Sequence, residues 1–290
     1  MRLGHVMTAL ITPFDRDGKI DFPALRRLCE KLIGEGCDGF VVCGTTGEAS
    51  SLTQEEKLAL LECVLRQSRG RVSVWMGCGS NNTAQTVDLI RTVCRFAVDG
   101  VMVVCPYYVR PSQAGLYAHF AACAEASSLP LMLYNVPKRT GVSLSARTVI
   151  RLAQDYPAIR VLKQACGDME MVRRILMECE TMQICSGEDG LFLEGLRAGM
   201  SGIISVAGHC VMPVLVKIWE DYQYGVENGE LDHFLKQLSG YLFRCSSPSD
   251  VKAMLAMQGW CNETVRLPLV AIDDDSRRQL RGFMLEHSLL

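Results

Sequence analysis

Two kinds of apolar segment alternate along this chain from its start to about residue 206. Short runs rich in Val, Ile and Leu read as strands: Val6–Thr12, Gly39–Cys43, Val72–Met76, Val101–Cys105, Leu129–Asn135, Arg160–Lys163, Gln183–Ser186 and Gly202–Val206. Longer segments with apolar residues at helical spacing lie between them: Phe22–Glu35, Thr53–Arg69, Gln85–Phe96, Ala114–Ala126, Ser145–Asp155, Met169–Glu178 and Leu191–Ala198. Near-continuous apolar strands suit a parallel sheet covered on both faces, and eight βα repeats are the count of a (β/α)8, or TIM, barrel. A doubly wound sheet would carry a glycine-rich fingerprint after its first strand, and Thr12-Pro13-Phe14-Asp15 is not one. Gly77-Cys78-Gly79 lacks the third glycine and reads as a tight turn before a helix capped near Asn81–Thr83.

Thr53 followed by Glu56 is a capping-box pattern that fixes one helix start. Beyond the eighth strand, Leu231–Phe243, Asp250–Gln258 and Ser276–Leu285 read as helices. The expected organisation is a barrel over residues 1–226 and a C-terminal α-helical domain over 227–290.

Composition removes several classes of function. A formal net charge of −2 gives no footprint for nucleic acid. No apolar run approaches the roughly 18 residues that span a bilayer. Met1–Leu10 reads as a first strand rather than a signal peptide. The 14 cysteines form no C-x-x-C pair and many sit inside apolar runs. They read as buried thiols in a reducing compartment, so a cytoplasmic location is expected, with neither a disulfide framework nor a zinc site.

Active sites of such barrels sit at the C-terminal ends of the strands. Lys163 ends the sixth strand. An ammonium there is poorly solvated, which lowers its pKa and makes it a usable nucleophile. The stretch alone also fits a lysine that reaches solvent or pairs with a carboxylate. The other strand ends decide the matter. Gly44-Thr45-Thr46-Gly47-Glu48 can turn backbone N–H groups toward an anion. Pro106-Tyr107-Tyr108 and Tyr134 bring phenols that move protons. Arg139 can grip a carboxylate with two parallel hydrogen bonds. His209 is the one histidine near this face, and it reads as structural. No metal-ligand cluster, nucleotide loop or cofactor signature accompanies these residues. The set suits Schiff-base chemistry on a small keto acid.

With Leu162-Lys163, the Tyr134-Asn135-Val136-Pro137-Lys138-Arg139-Thr140 stretch and the two motifs above, the chain resembles the 4-hydroxy-tetrahydrodipicolinate synthase family. These are pyruvate-dependent Schiff-base class I aldolase relatives, and the resemblance runs from Leu10 to Pro268. It implies that Lys163 forms an imine with pyruvate and that Tyr134 exchanges protons there. Thr45 and Tyr108 would complete a relay with Tyr134, one of Tyr107 and Tyr108 reaching across a tight dimer. Thr46 and Ile204 would hold and line the pyruvate, and Arg139 would bind the carboxylate of L-aspartate 4-semialdehyde. The implied product is 4-hydroxy-tetrahydrodipicolinate, on the route to lysine and diaminopimelate. The implied assembly is a homotetramer, a dimer of dimers.

The chain departs from the family in places. Gln54, Lys57 and Gln85 stand where lysine-inhibited members carry two histidines and a glutamate. Gln164 and Cys166 replace a usual Glu and Thr, and Ser247–Lys252 replaces a Pro-rich form. The rival readings are an N-acetylneuraminate lyase or keto-sugar-acid aldolase, sharing the lysine and tyrosine, and a non-catalytic barrel. Arg139 and the Tyr107-Tyr108 pair favour the synthase.

Overall fold

The structure, a computed structural model, describes residues 1–290. Its strands are β1 (Val6–Ala9), β2 (Gly39–Val42), β3 (Ser73–Gly77), β4 (Gly100–Val104), β5 (Leu131–Asn135), β6 (Ile159–Gln164), β7 (Gln183–Ser186) and β8 (Gly202–Ser205). They pair in sequence order, all parallel, and β8 closes on β1. This is the TIM barrel the alternation predicts.

Side chains alternate across the barrel wall because a strand has a period of two. On β5, Leu131 and Leu133 join the outer core beneath the helices, while Met132 and Tyr134 point into the lumen. On β6, Val161 faces the lumen and Leu162 the outer core. Lys163 follows Leu162 and therefore returns to the lumen. Met7, Val41, Trp75, Met102, Cys185 and Ile204 fill the rest of that interior.

The capping box forms as expected: Glu56 N–H donates to Thr53 Oγ1, and Thr53 N–H to the Glu56 carboxylate. The glycines at the end of β3 have a different reason from a tight turn. A Cβ on Gly77 would lie 2.2 Å from the Cys43 carbonyl oxygen, and one on Gly79 2.5 Å from Val104 N, so two backbones meet there. The helix that follows is capped by Asn82 and runs Thr83–Val93.

Two helices escape the sequence reading. Pro137–Thr140 closes one short turn after β5, too brief to show a period. Gly208–Gln223 follows β8, but it is broken at Val211 (φ −140°, ψ 40°), just before Pro213. A proline in a helix interior removes a donor and kinks the axis, which blurs the apolar period.

His209 begins that last barrel helix and is fully buried. Its Nδ1 lies 2.8 Å from the Val206 carbonyl, and its Nε2 accepts the Ile11 N–H at 3.1 Å. An acceptor role on Nε2 requires the neutral ring with the proton on Nδ1. The ring thus ties the end of β8 to the chain leaving β1, the structural role expected for it.

The last helices are Gly229–Leu242, Ser249–Met257 and Asp274–Glu286. Leu235, Leu238, Val251, Leu255, Leu280 and Phe283 belong to the same apolar core that lies under the barrel helices. No helix is long and apolar enough to cross a membrane.

Burial lowers the His209 pKa from 6.5 to about 4. Below about pH 6.5 the unfolded chain takes up a proton on this ring that the folded chain refuses until about pH 4. Stability therefore falls as pH drops through that window. Urea unfolding midpoints measured from pH 7 to pH 4 should decline in the wild type and decline less steeply in a less stable His209→Gln variant.

Candidate active site

Four loops at the C-terminal mouth converge on a cleft of about 430 Å³, whose wall includes Gly44, Thr45, Lys57, Gln85, Tyr107, Tyr134 and Arg139. The backbone is unusual here. Cys43, Glu48, Tyr108 and Arg110 all take left-handed angles (φ 54°, 54°, 74° and 46°) although none is glycine. Such residues cost of order 1–3 kcal/mol each and persist where surrounding structure holds them.

The turn after β2 is folded on itself. Gly47 and Ala49 N–H donate to the Gly44 carbonyl, and Glu48 N–H to that of Thr45. The N–H groups of Thr45 and Thr46 donate to nothing in the chain. Two adjacent free donors in a turn form an anion-binding concavity. Thr46 is buried behind the cleft wall, whereas Thr45 is exposed in it.

Lys163 lies inside the barrel, behind the cleft wall and against Tyr134, which forms part of that wall. It is paired in register with Tyr134 on one side and Cys185 on the other. Its Nζ sits 4.6 Å from the centre of the Tyr134 ring. Only 5% of the residue is accessible. Burial lowers its pKa from 10.5 to about 8, with the Arg139 charge adding to the depression and the buried Asp189 carboxylate opposing it. At pH 7 roughly one amine in ten is then neutral, against roughly one in 3,000 for an ordinary lysine. Tyr134 is also buried, and desolvation raises its pKa while hydrogen bonding with Thr45 lowers it. The phenol thus keeps its proton beside an amine that readily loses one.

The remaining sequence-predicted residues fall as follows. Ile204 lies in the lumen, 1% exposed. Arg139 stands in the cleft wall without a carboxylate partner in the chain. Tyr107 reaches the cleft, but Tyr108 does not: it is 86% exposed and points into solvent. Within one chain, Tyr134 has Thr45 beside it but no second phenol from Tyr108. Gln54 is outside the cleft wall, whereas Lys57 and Gln85 are part of it.

Sequence reasoning missed several neighbours. Asp189 is fully enclosed; its Oδ1 accepts the Ser205 hydroxyl, and its Oδ2 accepts the Val206 and Ala207 N–H groups, both at 3.1 Å. Burial raises its pKa, and those hydrogen bonds and the Lys163 charge counter the rise. A Cβ on Gly187 would meet Lys163 Cε at 3.0 Å and Ala165 Cβ at 2.8 Å, so glycine leaves the lysine its channel. The signal was the Ser186-Gly187-Glu188-Asp189 stretch at the end of β7, a strand end like the others. Gln164, the departure next to the lysine, points outward and accepts the Asn135 side-chain N–H at 3.0 Å.

Fold and site together define a barrel enzyme built around a sheltered amine at the end of its sixth strand. Residues 2–286 match the Dihydrodipicolinate synthetase family. The chain is 43% identical over 289 residues to the 4-hydroxy-tetrahydrodipicolinate synthase of Bacillus subtilis, covering 99% of this chain and 100% of that one. It is 44% identical to 4-hydroxy-tetrahydrodipicolinate synthase 2 of Halalkalibacterium halodurans, covering 99% and 98%. The solved dihydrodipicolinate synthase of Bacillus anthracis superposes with a TM-score of 0.95 at 39% identity, covering 98% of this chain and 99% of that one. The chain belongs to the dihydrodipicolinate synthetase family.

The lowered lysine pKa has a kinetic consequence. Only the neutral amine attacks a ketone, so the rate of imine formation should climb roughly tenfold per pH unit toward pH 8 and level off above it. Quenched trapping of the imine across pH 6 to 10 measures this.

Proposed function

We infer that this chain is a lyase that condenses pyruvate with L-aspartate 4-semialdehyde to give 4-hydroxy-tetrahydrodipicolinate. The observation that carries the reading is the desolvated Lys163 amine against the Tyr134 phenol, beside a turn with two free N–H donors. The related aldolases are not favoured, since the relatives matched along the whole chain carry the synthase name.

The chemistry follows from the placement. Pyruvate's carboxylate takes the Thr45 and Thr46 N–H groups, leaving its ketone toward Lys163, with Ile204 alongside. The neutral amine adds to the carbonyl carbon, and loss of water gives the imine. Tyr134 supplies the proton that leaves with that water and later accepts one. Loss of a methyl proton gives the enamine, which attacks the aldehyde carbon of the second substrate, and the aldehyde oxygen takes up a proton. Arg139, facing the cleft without a partner, holds that substrate's carboxylate. The substrate's amino group then displaces Lys163 from the imine carbon and closes the ring.

Tyr108 belongs to the same reading as a residue given to a second copy. Its exposure and left-handed backbone suit a side chain that crosses a tight dimer to complete the relay at the neighbouring Tyr134. A homotetramer made of two such dimers, a cytoplasmic location, and a chemical barrel at 1–226 with a helical unit at 227–290 complete the proposal.

Borohydride with pyruvate tests the function directly. A mass gain on Lys163 is expected, and its absence would refute the reading. Arg139→Ala should keep this trapping while losing most turnover with the semialdehyde, by roughly 100-fold or more in kcat/KM. A free lysine amine would face the like charge of Lys57 in the cleft. Inhibition by L-lysine should be weak or absent, and half-inhibition below millimolar concentration would contradict this.

A further inference from the structure

Glu48 ends the anion-binding turn, yet its side chain leaves the site and is buried from solvent. Its Oε1 accepts a hydrogen bond from Lys252 Nζ at 2.5 Å, and its Oε2 accepts the Arg266 N–H at 2.9 Å. Lys252 is itself fully buried and donates to the Thr264 carbonyl at 2.8 Å. The Arg266 guanidinium reaches the Gly18 and Ser51 carbonyls and takes both oxygens of Glu56, at 2.7 and 2.6 Å. Both cations lie over the Phe14 ring, at 4.2 and 4.4 Å.

This network joins three distant pieces of chain: the loop after β1, the turn after β2, and the C-terminal segment carrying Lys252 and Arg266. It grips the turn at two places. Glu48 carries the left-handed backbone angle that ends it, and Ser51 lies one short turn further on, its N–H and Oγ–H both donating to the Glu48 carbonyl. From the inner side, the Thr12 hydroxyl donates to the Gly47 carbonyl at 2.7 Å. The free N–H donors of Thr45 and Thr46 lie three and two residues before this anchor, so their aim depends on it.

We propose that Glu48, clamped by Lys252 and Arg266, is a positioning residue for the keto-acid carboxylate, which makes the C-terminal helical unit part of pyruvate recognition. The proposal rests on the functional reading above. It assigns Glu48 no contact with substrate. Its effect is to fix where two backbone donors point, and a displaced donor loses much of its hold on an anion.

The test uses the full chain with Glu48→Gln/Lys252→Met. The double change removes both charges together, whereas either single change strands one in an apolar site. Pyruvate half-saturation is read by borohydride trapping, KM for the semialdehyde by turnover, and folding by melting temperature. The double variant should fold, need about tenfold more pyruvate, and keep its semialdehyde KM within about twofold, since Arg139 sits on another loop. Wild-type pyruvate half-saturation in a folded double variant would overturn the proposal. So would a loss of rate that only tracks the folded fraction. Should the double variant not fold, Arg266→Lys decides: about threefold weaker pyruvate saturation supports the clamp and an unchanged value refutes it. If wild type itself fails to trap pyruvate, the functional reading fails first, and the two failures stay distinct.

Discussion

The Lys163 ammonium has no room for a hydration shell. It lies inside a closed sheet, flanked by a phenol ring and a thiol, with glycine at position 187 giving its stem just enough space. Barrel closure imposes this position, because a lumen-facing side chain one residue before the end of β6 cannot escape sideways. Desolvation is the leading cause of its lowered pKa, and Asp189 limits the effect without cancelling it.

A second lysine shows that burial alone does not set the outcome. Lys252 is as enclosed as Lys163, and desolvation lowers its pKa as well. It has a carboxylate at 2.5 Å, however, and that contact opposes the drop. Lys163 has no salt-bridge partner; its counter-charge, Asp189, spends its oxygens on a hydroxyl and two N–H groups. Lys252 is thus tied into the structure by an ion pair, whereas Lys163 has none.

Much of this was legible because it is local. The βα alternation, the capping box at Thr53 and the functional strand ends are each written within a few residues. So was the lysine at the end of β6, since a charged residue closing a near-continuous apolar run stands out. What stayed hidden depends on distance or on disrupted period. Pro213 and the break at Val211 concealed the helix after β8. Asp189 drew no notice because its partners lie at the end of the next strand, at Ser205 to Ala207. The Glu48–Lys252 pair spans 204 positions, and nothing in either neighbourhood announces the other. Tyr108 was recognised as a chemical residue, but two adjacent tyrosines do not say which of them turns outward.

That long span has a consequence for how the molecule is made. Glu48 leaves the ribosome long before its counter-ion does. At ordinary synthesis rates of about 5–20 residues per second, roughly 10–40 s separate the two. During that interval the turn after β2 holds a carboxylate without its buried counter-ion, so a nascent chain carries the whole strand of Lys163 before that turn is anchored. Messages cut short before codon 252 would thus yield chains in which Glu48 never meets the cation that buries it.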